Sequence, residues 1–373
     1  MKYHSTINGV FEAFMASRKR RATTNSLYRY AFSLFGKHLK SLDYPIAEVT
    51  VDKMSQFCTW LTKHYAANSA NIIFTIIKSM FAFAGRHGYI SENPCSTIYE
   101  QHLFRKHKHH QALSRAQFEV CEASFWDSLE TKADHKEYEM ASCLLCCLDS
   151  SLFAQMCFVL GFYLQGLSFV DLLLLKMSMI REVVTENGHC FIIETARKKT
   201  GKRVKIIIPQ EHTKRHRLFS AIFREAEKRH SIHLISPIDN LAGDDTYVYI
   251  KVKQINGTVN RHLKKWWGML NGSALESIPI NIKTTSYYSC RHTFATLYIE
   301  NPEASLGELA SLMGRNAEYI DTYIKEITAD DNLLRATDKV FGKAKTNEKM
   351  LMRQLLDNQN TIISMLAQIL SHY

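Results

Sequence analysis

Apolar residues recur with helical spacing over the first hundred positions. Phe11, Phe14 and Met15 open one apolar face, and Tyr28, Phe32, Phe35 and Leu39 continue it after Thr23, Thr24 and Asn25, whose side chains suit capping. Further periodic segments run over about 51–64 and 68–86, and Gly88 with Asn93-Pro94 stops the last. A basic stretch, His102-Leu-Phe-Arg-Lys-His-Lys-His-His110, separates this region from a helical, apolar segment over 114 to about 177. Asp149, Gln155, Gln165 and Asp171 interrupt its most apolar part before about twenty apolar residues accumulate, so buried core helices are predicted there rather than a membrane span. The period then changes. Ile180-Arg-Glu-Val-Val, Cys190-Phe-Ile-Ile-Glu-Thr and Val204-Lys-Ile-Ile-Ile-Pro209, with a turn at Asn187-Gly188, predict three short antiparallel strands. Helical patterns resume near Glu211 and return through 260–270 and 291–340. From Thr346 onward Met352, Leu355, Gln359, Ile362, Leu366, Ile369 and Tyr373 mark a last helix with an apolar seam, which would dock on its own domain or on a neighbouring subunit. The fold class expected is mainly α with one small antiparallel sheet.

Charge adds a partner class. Against 36 Asp+Glu stand 47 Lys+Arg, a formal net charge of +11, as expected of a surface that meets a polyanion. Ribosomal and membrane-surface proteins share that balance, so the motifs must decide. Nine cysteines, odd in number and mostly within apolar runs, come with no secretory leader pattern at Met1-Lys2-Tyr3-His4, so reduced thiols in a cytoplasmic compartment are expected. Cys143-Leu-Leu-Cys146-Cys147 has no second Cys/His pair at zinc spacing, and neither a phosphate-binding Gly-x-x-x-x-Gly-Lys-Ser/Thr loop nor paired metal-binding carboxylates occur. No metal and no cofactor are expected.

Two strings carry chemistry. Tyr287-Tyr288-Ser-Cys-Arg291-His-Thr-Phe-Ala-Thr296 is followed by Leu312-Met-Gly-Arg-Asn-Ala-Glu-Tyr-Ile-Asp-Thr-Tyr323. Their order resembles the tyrosine recombinase (phage integrase) family. In that family a phenol oxygen attacks a DNA phosphodiester while guanidinium groups hold the phosphoryl oxygens. The helical region ending in Gly-Tyr-Ile-Ser-Glu-Asn-Pro resembles the family's core-binding domain. The resemblance implies a core-binding domain over 1–101, a basic linker over 102–113, a catalytic domain over 114–345 and a C-terminal helix over 346–373.

Carried onto this chain, the resemblance makes Tyr323 the nucleophile, with Tyr319 as the alternative, although Tyr323 follows Gly314 one residue sooner than the family pattern. Arg291 becomes a phosphate clamp, placed at a helix start whose open N–H groups would also favour a phosphate. The family's first arginine sits in a Gly-Leu-Arg-x-x-Glu-Leu pattern, but here Gly166-Leu-Ser168-Phe-Val-Asp171-Leu puts Ser168 at the arginine position and Asp171 at the acidic one; neither Ser168 nor the earlier Gln165 supplies charge. Tyr288 replaces a family histidine and can donate a hydrogen bond without acting as histidine's kind of base. His292 is either structural or catalytic. Arg315 also stands at a histidine position and would restore a positive charge. In Glu194-Thr-Ala-Arg-Lys-Lys199-Thr-Gly201-Lys202 the Lys-Thr-Gly order selects Lys199 to protonate the leaving 5′ oxygen, with Lys198 and Lys202 as near substitutes on DNA. In the basic linker Arg105, Lys106 and Lys108 are expected to cross DNA phosphates.

The reading is thus a site-specific recombinase that cuts and rejoins double-stranded DNA through a 3′-phosphotyrosyl intermediate, as a homo-oligomer (a tetramer on DNA), nucleoid-associated and without a membrane partner. A catalytically silent, recombinase-like DNA-binding protein is the alternative, motivated by Ser168, Tyr288 and Arg315. A type IB topoisomerase-like relaxing enzyme would share the chemistry without strand exchange.

Overall fold

The computed structural model describes residues 5–20, 22–98, 111–132, 150–185, 188–235, 245–301 and 304–315. Arg105, Lys106, Lys108, Cys143, Cys146, Cys147, Tyr319, Tyr323 and the C-terminal seam lie outside the described residues.

The N-terminal helices follow the periodicity of the sequence. Helix α1 (Ile7–Ala16) starts where the Thr6 hydroxyl accepts from the Gly9 amide at 3.1 Å, and α3 (Val51–His64) starts where Thr50 accepts from Lys53 at 3.3 Å. With α2 (Ala22–Leu39) and α4 (Ala67–Arg86) they enclose an aromatic core: Phe11 stacks on Phe32 at 3.8 Å, and Phe35 meets Phe57 and Phe81 edge-on at 5.0 and 5.9 Å. Helix α4 is long and apolar enough to cross a membrane, yet its Ile73, Phe74, Ile77, Met80 and Phe81 are core residues of this bundle.

A second core gathers around α6 (Ser151–Tyr163), a helix whose residues Leu152–Gly161 are all buried. The expectation of core helices is met at this element. Around it pack α5 (Arg115–Lys132), α8 (Thr213–Lys228), α9 (Asp245–Asn271) and α10 (Ser289–Ile299), with the short α7 (Phe169–Leu173) after α6. The sheet has the order β1 (Ile180–Thr185), β2 (Gly188–Ala196), β3 (Arg203–Pro209), antiparallel throughout, with Glu194 opposite Lys205 and Ala196 opposite Arg203. Val204, Ile206 and Ile208 alternate inward along β3, the period-2 signature that the sequence shows.

Two boundaries differ from expectation. Helix α9 runs for 27 residues rather than over 260–270 alone. Polar residues before Val259 blur its pattern, but Val252, Val259, Leu263 and Trp267 fall on one buried face, and that packing extends the helix. The pattern over 291–340 is broken: α10 ends at Ile299, and α11 (Leu306–Leu312) begins afresh where the Ser305 hydroxyl accepts from Glu308 at 3.4 Å. A small separate cluster of Ala295, Ile299, Leu309, Ala310 and Met313 joins these two helices.

Candidate active site

Two arginines from separate segments of the chain converge on one backbone oxygen. Arg291, 1% exposed on α10, donates through Nη2 to the Met313 carbonyl at 2.8 Å and through Nη1 to the Gly166 carbonyl at 2.7 Å. Arg197, just beyond β2, donates through Nη1 to the same Met313 carbonyl at 3.1 Å. The loop after α6, the β2–β3 turn and the turn after α11 are thereby tied together, and two guanidinium groups stand side by side despite their mutual repulsion.

An acid offsets that repulsion. The Asp171 carboxylate lies 3.4 Å from Arg197 Nε, and both side chains are almost fully buried. Its Oδ1 accepts from the Lys198 amide at 2.8 Å and its Oδ2 from the Ser168 hydroxyl at 2.6 Å. A buried ion pair is held best when hydrogen bonds engage its remaining lone pairs, and here each carboxylate oxygen accepts one. Asp171, at the acidic position of the family pattern, thus pairs with a buried arginine, and that arginine is Arg197. Ser168 does not stand idle at its position. It caps α7 and orients the carboxylate.

Glycine is needed at two places in this cluster. Gly166 has φ +66°, and a Cβ there would come within 2.7 Å of the Arg291 Cα; Gly314 has φ +58°, and a Cβ there would come within 2.5 Å of Val204 and 2.9 Å of the Arg197 Cδ. Gln165 adopts φ +59° directly before Gly166, so two successive left-handed residues deliver the carbonyl that holds Arg291. For a residue with a Cβ this conformation costs roughly 1–2 kcal/mol.

Arg315 follows the Gly314 turn, and its Nη2 lies 3.5 Å from the Tyr288 hydroxyl. The Tyr288 ring meets His292 edge-on at 5.3 Å, and His292 is buried. Tyr287, next in the chain, is fully structural: its hydroxyl donates to the Leu167 carbonyl at 2.8 Å, and burial pushes its phenol well above the usual range. Burial likewise pushes the neighbouring Cys290 thiol up to about 12, which removes it as a thiolate nucleophile. One expectation is corrected here. The amides of Ser289, Cys290 and Arg291 are engaged by the carbonyls of Ser286, Tyr287 and Tyr288, so the start of α10 presents no open amides and any anion must be met by side chains.

The β2–β3 turn is tight, closed by Arg197 N to Lys202 O at 2.8 Å and Gly201 N to Arg197 O at 2.8 Å. Lys198 and Lys199 are exposed at its tip. Lys202, with Arg203, Gly314 and Arg315, lines an open cleft beside the arginines, and Lys199 is not among the residues lining that cleft. Among the described residues no group of three or more His, Cys, Asp or Glu side chains could hold a metal ion.

Arg197 is the functional candidate that motif order misses. Strand alternation could have found it: Phe191 and Ile193 face inward along β2, and continuing that parity through Thr195 reaches Arg197. Hidden in Arg-Lys-Lys, it reads as one more solvated cation.

Comparison with known proteins agrees with this architecture. Residues 6–108 match the sequence family described as the phage integrase SAM-like domain. No curated sequence matches the chain. Among solved structures, it resembles a lambda integrase (75–356) dimer bound to a COC′ core site, with TM-score 0.54 and 16% identity over 84% of this chain and 92% of that one. It also resembles the Tn1549 transposon integrase in complex with a circular intermediate DNA, with TM-score 0.55 and 17% identity over 89% and 99% of the two chains. A lambda integrase tetramer bound to a Holliday junction aligns with TM-score 0.53 and 15% identity over 83% and 74%. Residues 6–108 therefore resemble a phage integrase SAM-like domain, and the fold of the chain is like that of these integrases.

Proposed function

We propose that this protein is a DNA strand transferase of the tyrosine recombinase type. The observation that carries the proposal is the convergence of Arg197 and Arg291 on the Met313 carbonyl, with Arg315 two residues further on. Three cations against one buried carboxylate leave a net positive site, suited to the charge that builds on a phosphoryl group in transfer. On this reading Arg197 would supply the positive charge that Ser168 does not, which weakens the case for a silent protein.

In the proposed reaction the Tyr323 phenol oxygen attacks a DNA phosphorus, its proton is lost to solvent or a nearby base, and the bond to the 5′ oxygen breaks. A lysine of the β2–β3 turn gives that oxygen its proton, leaving a 3′-phosphotyrosyl bond and a 5′ hydroxyl. The hydroxyl of a partner strand then attacks the phosphotyrosine and releases Tyr323. The energy of the broken bond is kept in the intermediate, so no nucleotide need be hydrolysed. The helical domain at 1–101, the basic linker at 102–113 with Arg105, Lys106 and Lys108, and the domain at 114–345 would together hold the duplex. DNA-bound dimers and tetramers among the structural neighbours support assembly of several copies, for which the apolar seam of residues 346–373 would serve as the tie if it does not dock on its own domain.

Covalent trapping tests the reading. Duplexes from the genomic neighbourhood of the gene, nicked near candidate cleavage points, should yield a denaturant-resistant protein–DNA adduct that Tyr323→Phe abolishes while binding persists. An adduct that survives in Tyr323→Phe and vanishes in Tyr319→Phe would move the nucleophile. Binding with no adduct in any setting would leave the silent DNA-binding protein as the answer, and relaxed but unrecombined products would favour the topoisomerase-like reading.

A further inference from the structure

Residues 111–113, where the sequence places the end of the basic linker, are built against the helix that carries Arg291. Ser114 and Gln117 form a reciprocal cap at the start of α5: the Gln117 amide donates to the Ser114 hydroxyl oxygen at 3.3 Å, and the Ser114 amide donates to Gln117 Oε1 at 2.9 Å. Leu113, directly before this cap, and Phe118, one turn inside it, belong to the same buried cluster, the apolar pairing that fixes the angle at which a chain enters a helix. Gln117 Nε2 donates onward to the Ile278 and Pro279 carbonyls at 3.0 and 3.2 Å. The chain thus enters α5 in one defined position.

One bond of this junction reaches α10. The Leu113 amide donates to the Thr293 hydroxyl oxygen at 2.9 Å, a buried contact between residues 180 apart in the sequence. Two further side chains repeat the tie: Thr284 Oγ1 donates to Gln111 Oε1 at 3.2 Å, and Arg115 meets Glu300 at 2.9 Å beyond the far end of α10. The Arg115–Glu300 pair is exposed and contributes little, whereas a buried amide deprived of its acceptor is costly, so the Thr293 bond dominates the junction. Residues two apart on an α-helix point about 200° apart around its axis. Arg291 reaches the Gly166 and Met313 carbonyls on one side of α10, and Thr293 holds Leu113 on the other. A helix gripped on opposite sides cannot turn or slide without breaking one of the grips.

We infer that Thr293 is a positioning residue for Arg291: by holding the Leu113 amide it makes the entry of the chain into α5 a brace on α10, and the brace keeps the guanidinium where a phosphoryl group needs it. The inference rests on the strand-transfer reading above and deepens it. A donor stabilises developing charge only when it is held in place beforehand, and a small misplacement of such a group can cost about a hundredfold in rate. Thr293 itself touches no reacting atom. Its hydroxyl acts through the helix, so losing it should change the rate of the chemical step and leave DNA affinity nearly as it was.

The test uses the full chain and a nicked duplex on which the wild type forms its adduct, at a temperature where circular dichroism shows every variant folded. Thr293→Val keeps the shape of the side chain and removes the hydroxyl; Thr293→Ser keeps the hydroxyl. At saturating DNA, Thr293→Val should cleave roughly ten- to a hundredfold more slowly than the wild type in a single turnover, with its affinity by fluorescence anisotropy within about threefold. Thr293→Ser should stay within about threefold in both measurements. A methylphosphonate in place of the scissile phosphate lacks the negative charge that Arg291 is proposed to meet, so on that substrate the Thr293→Val defect should shrink about fivefold or more. An ester in place of the Leu113 amide removes the donor and no side chain, and should reproduce the Thr293→Val pattern; where Thr293→Val fails to fold, this ester decides. Cleavage by the folded variant within about threefold of the wild type, or an equal defect on both substrates, overturns the inference while the proposed function stands. A wild-type chain that forms no adduct on any duplex overturns both.

Discussion

Removing the Arg197 guanidinium should damage folding and chemistry separately, and the two effects can be measured apart. In Arg197→Ala the Asp171 carboxylate, 3% exposed, keeps its hydrogen bonds from Ser168 and Lys198 but is deprived of the charge 3.4 Å away. Breaking a buried pair by deleting one partner costs about 3–5 kcal/mol, and the two surviving hydrogen bonds place the expected destabilisation near the lower end, about 3 kcal/mol. Asp171→Asn relieves the stranded charge. The double variant should therefore be more stable than the sum of the single effects predicts, with a coupling of at least about 1 kcal/mol in a denaturant-unfolding cycle. For the chemistry, Arg197→Lys keeps a charge but not the planar fork. Under conditions where each variant is folded, single-turnover cleavage of nicked DNA should fall about 100–1000-fold in Arg197→Ala, the usual cost of one transition-state donor, and less in Arg197→Lys. Additive stabilities would refute the ionic coupling. Cleavage by folded Arg197→Ala within twofold of wild type would refute the assignment of Arg197 to the phosphate.

Further outcomes follow from other parts of the site. If Lys202, which lines the Arg315 cleft, is the general acid in place of Lys199, Lys202→Ala should be the more damaging change on normal DNA, and a 5′-bridging sulfur, which leaves unprotonated, should rescue it; rescue of Lys199→Ala alone would return the role to Lys199. Gln165→Gly, at φ +59°, should raise stability by about 1 kcal/mol in urea unfolding if relief of the left-handed strain outweighs the added freedom of the unfolded chain; a decrease of that size would show that the Gln165 side chain holds the loop. Burial and the adjacent His189 hold the His216 imidazole below its ordinary value, so the unfolded chain takes the proton first. The stability contributed at this residue is then complete above about pH 6.5 and falls as the pH drops from there toward the lowered native value, so His216→Gln should flatten the acid side of a thermal-midpoint profile measured from pH 7.5 to 5.5.

Much of this was legible because period and motif order survive in one sequence. The strands showed through Val204, Ile206 and Ile208, and Arg291 through its string. The full length of α9 did not show, since its buried face depends on tertiary partners for Trp266 and Trp267 that no local pattern names. The amides at the start of α10 looked open because capping is read from side chains, and here backbone carbonyls of the preceding turn do the work. Arg197 escaped for a physical reason too: a cation beside two lysines reads as solvated until the fold supplies the buried Asp171.

The Met313 carbonyl gives the site an unusual kind of permanence. Side-chain interactions vanish by point mutation, but a peptide oxygen is present whatever residue occupies position 313, so substitution there can shift this anchor and never erase it. Its vulnerability lies in spacing. An insertion or deletion between α11 and Gly314 would move one atom and release both arginines together, so the seating of the turn and the charge of the site would fail as a single event. Replacing the Gly314 amide by an ester weakens that oxygen as an acceptor without touching a side chain, and would loosen both arms at once.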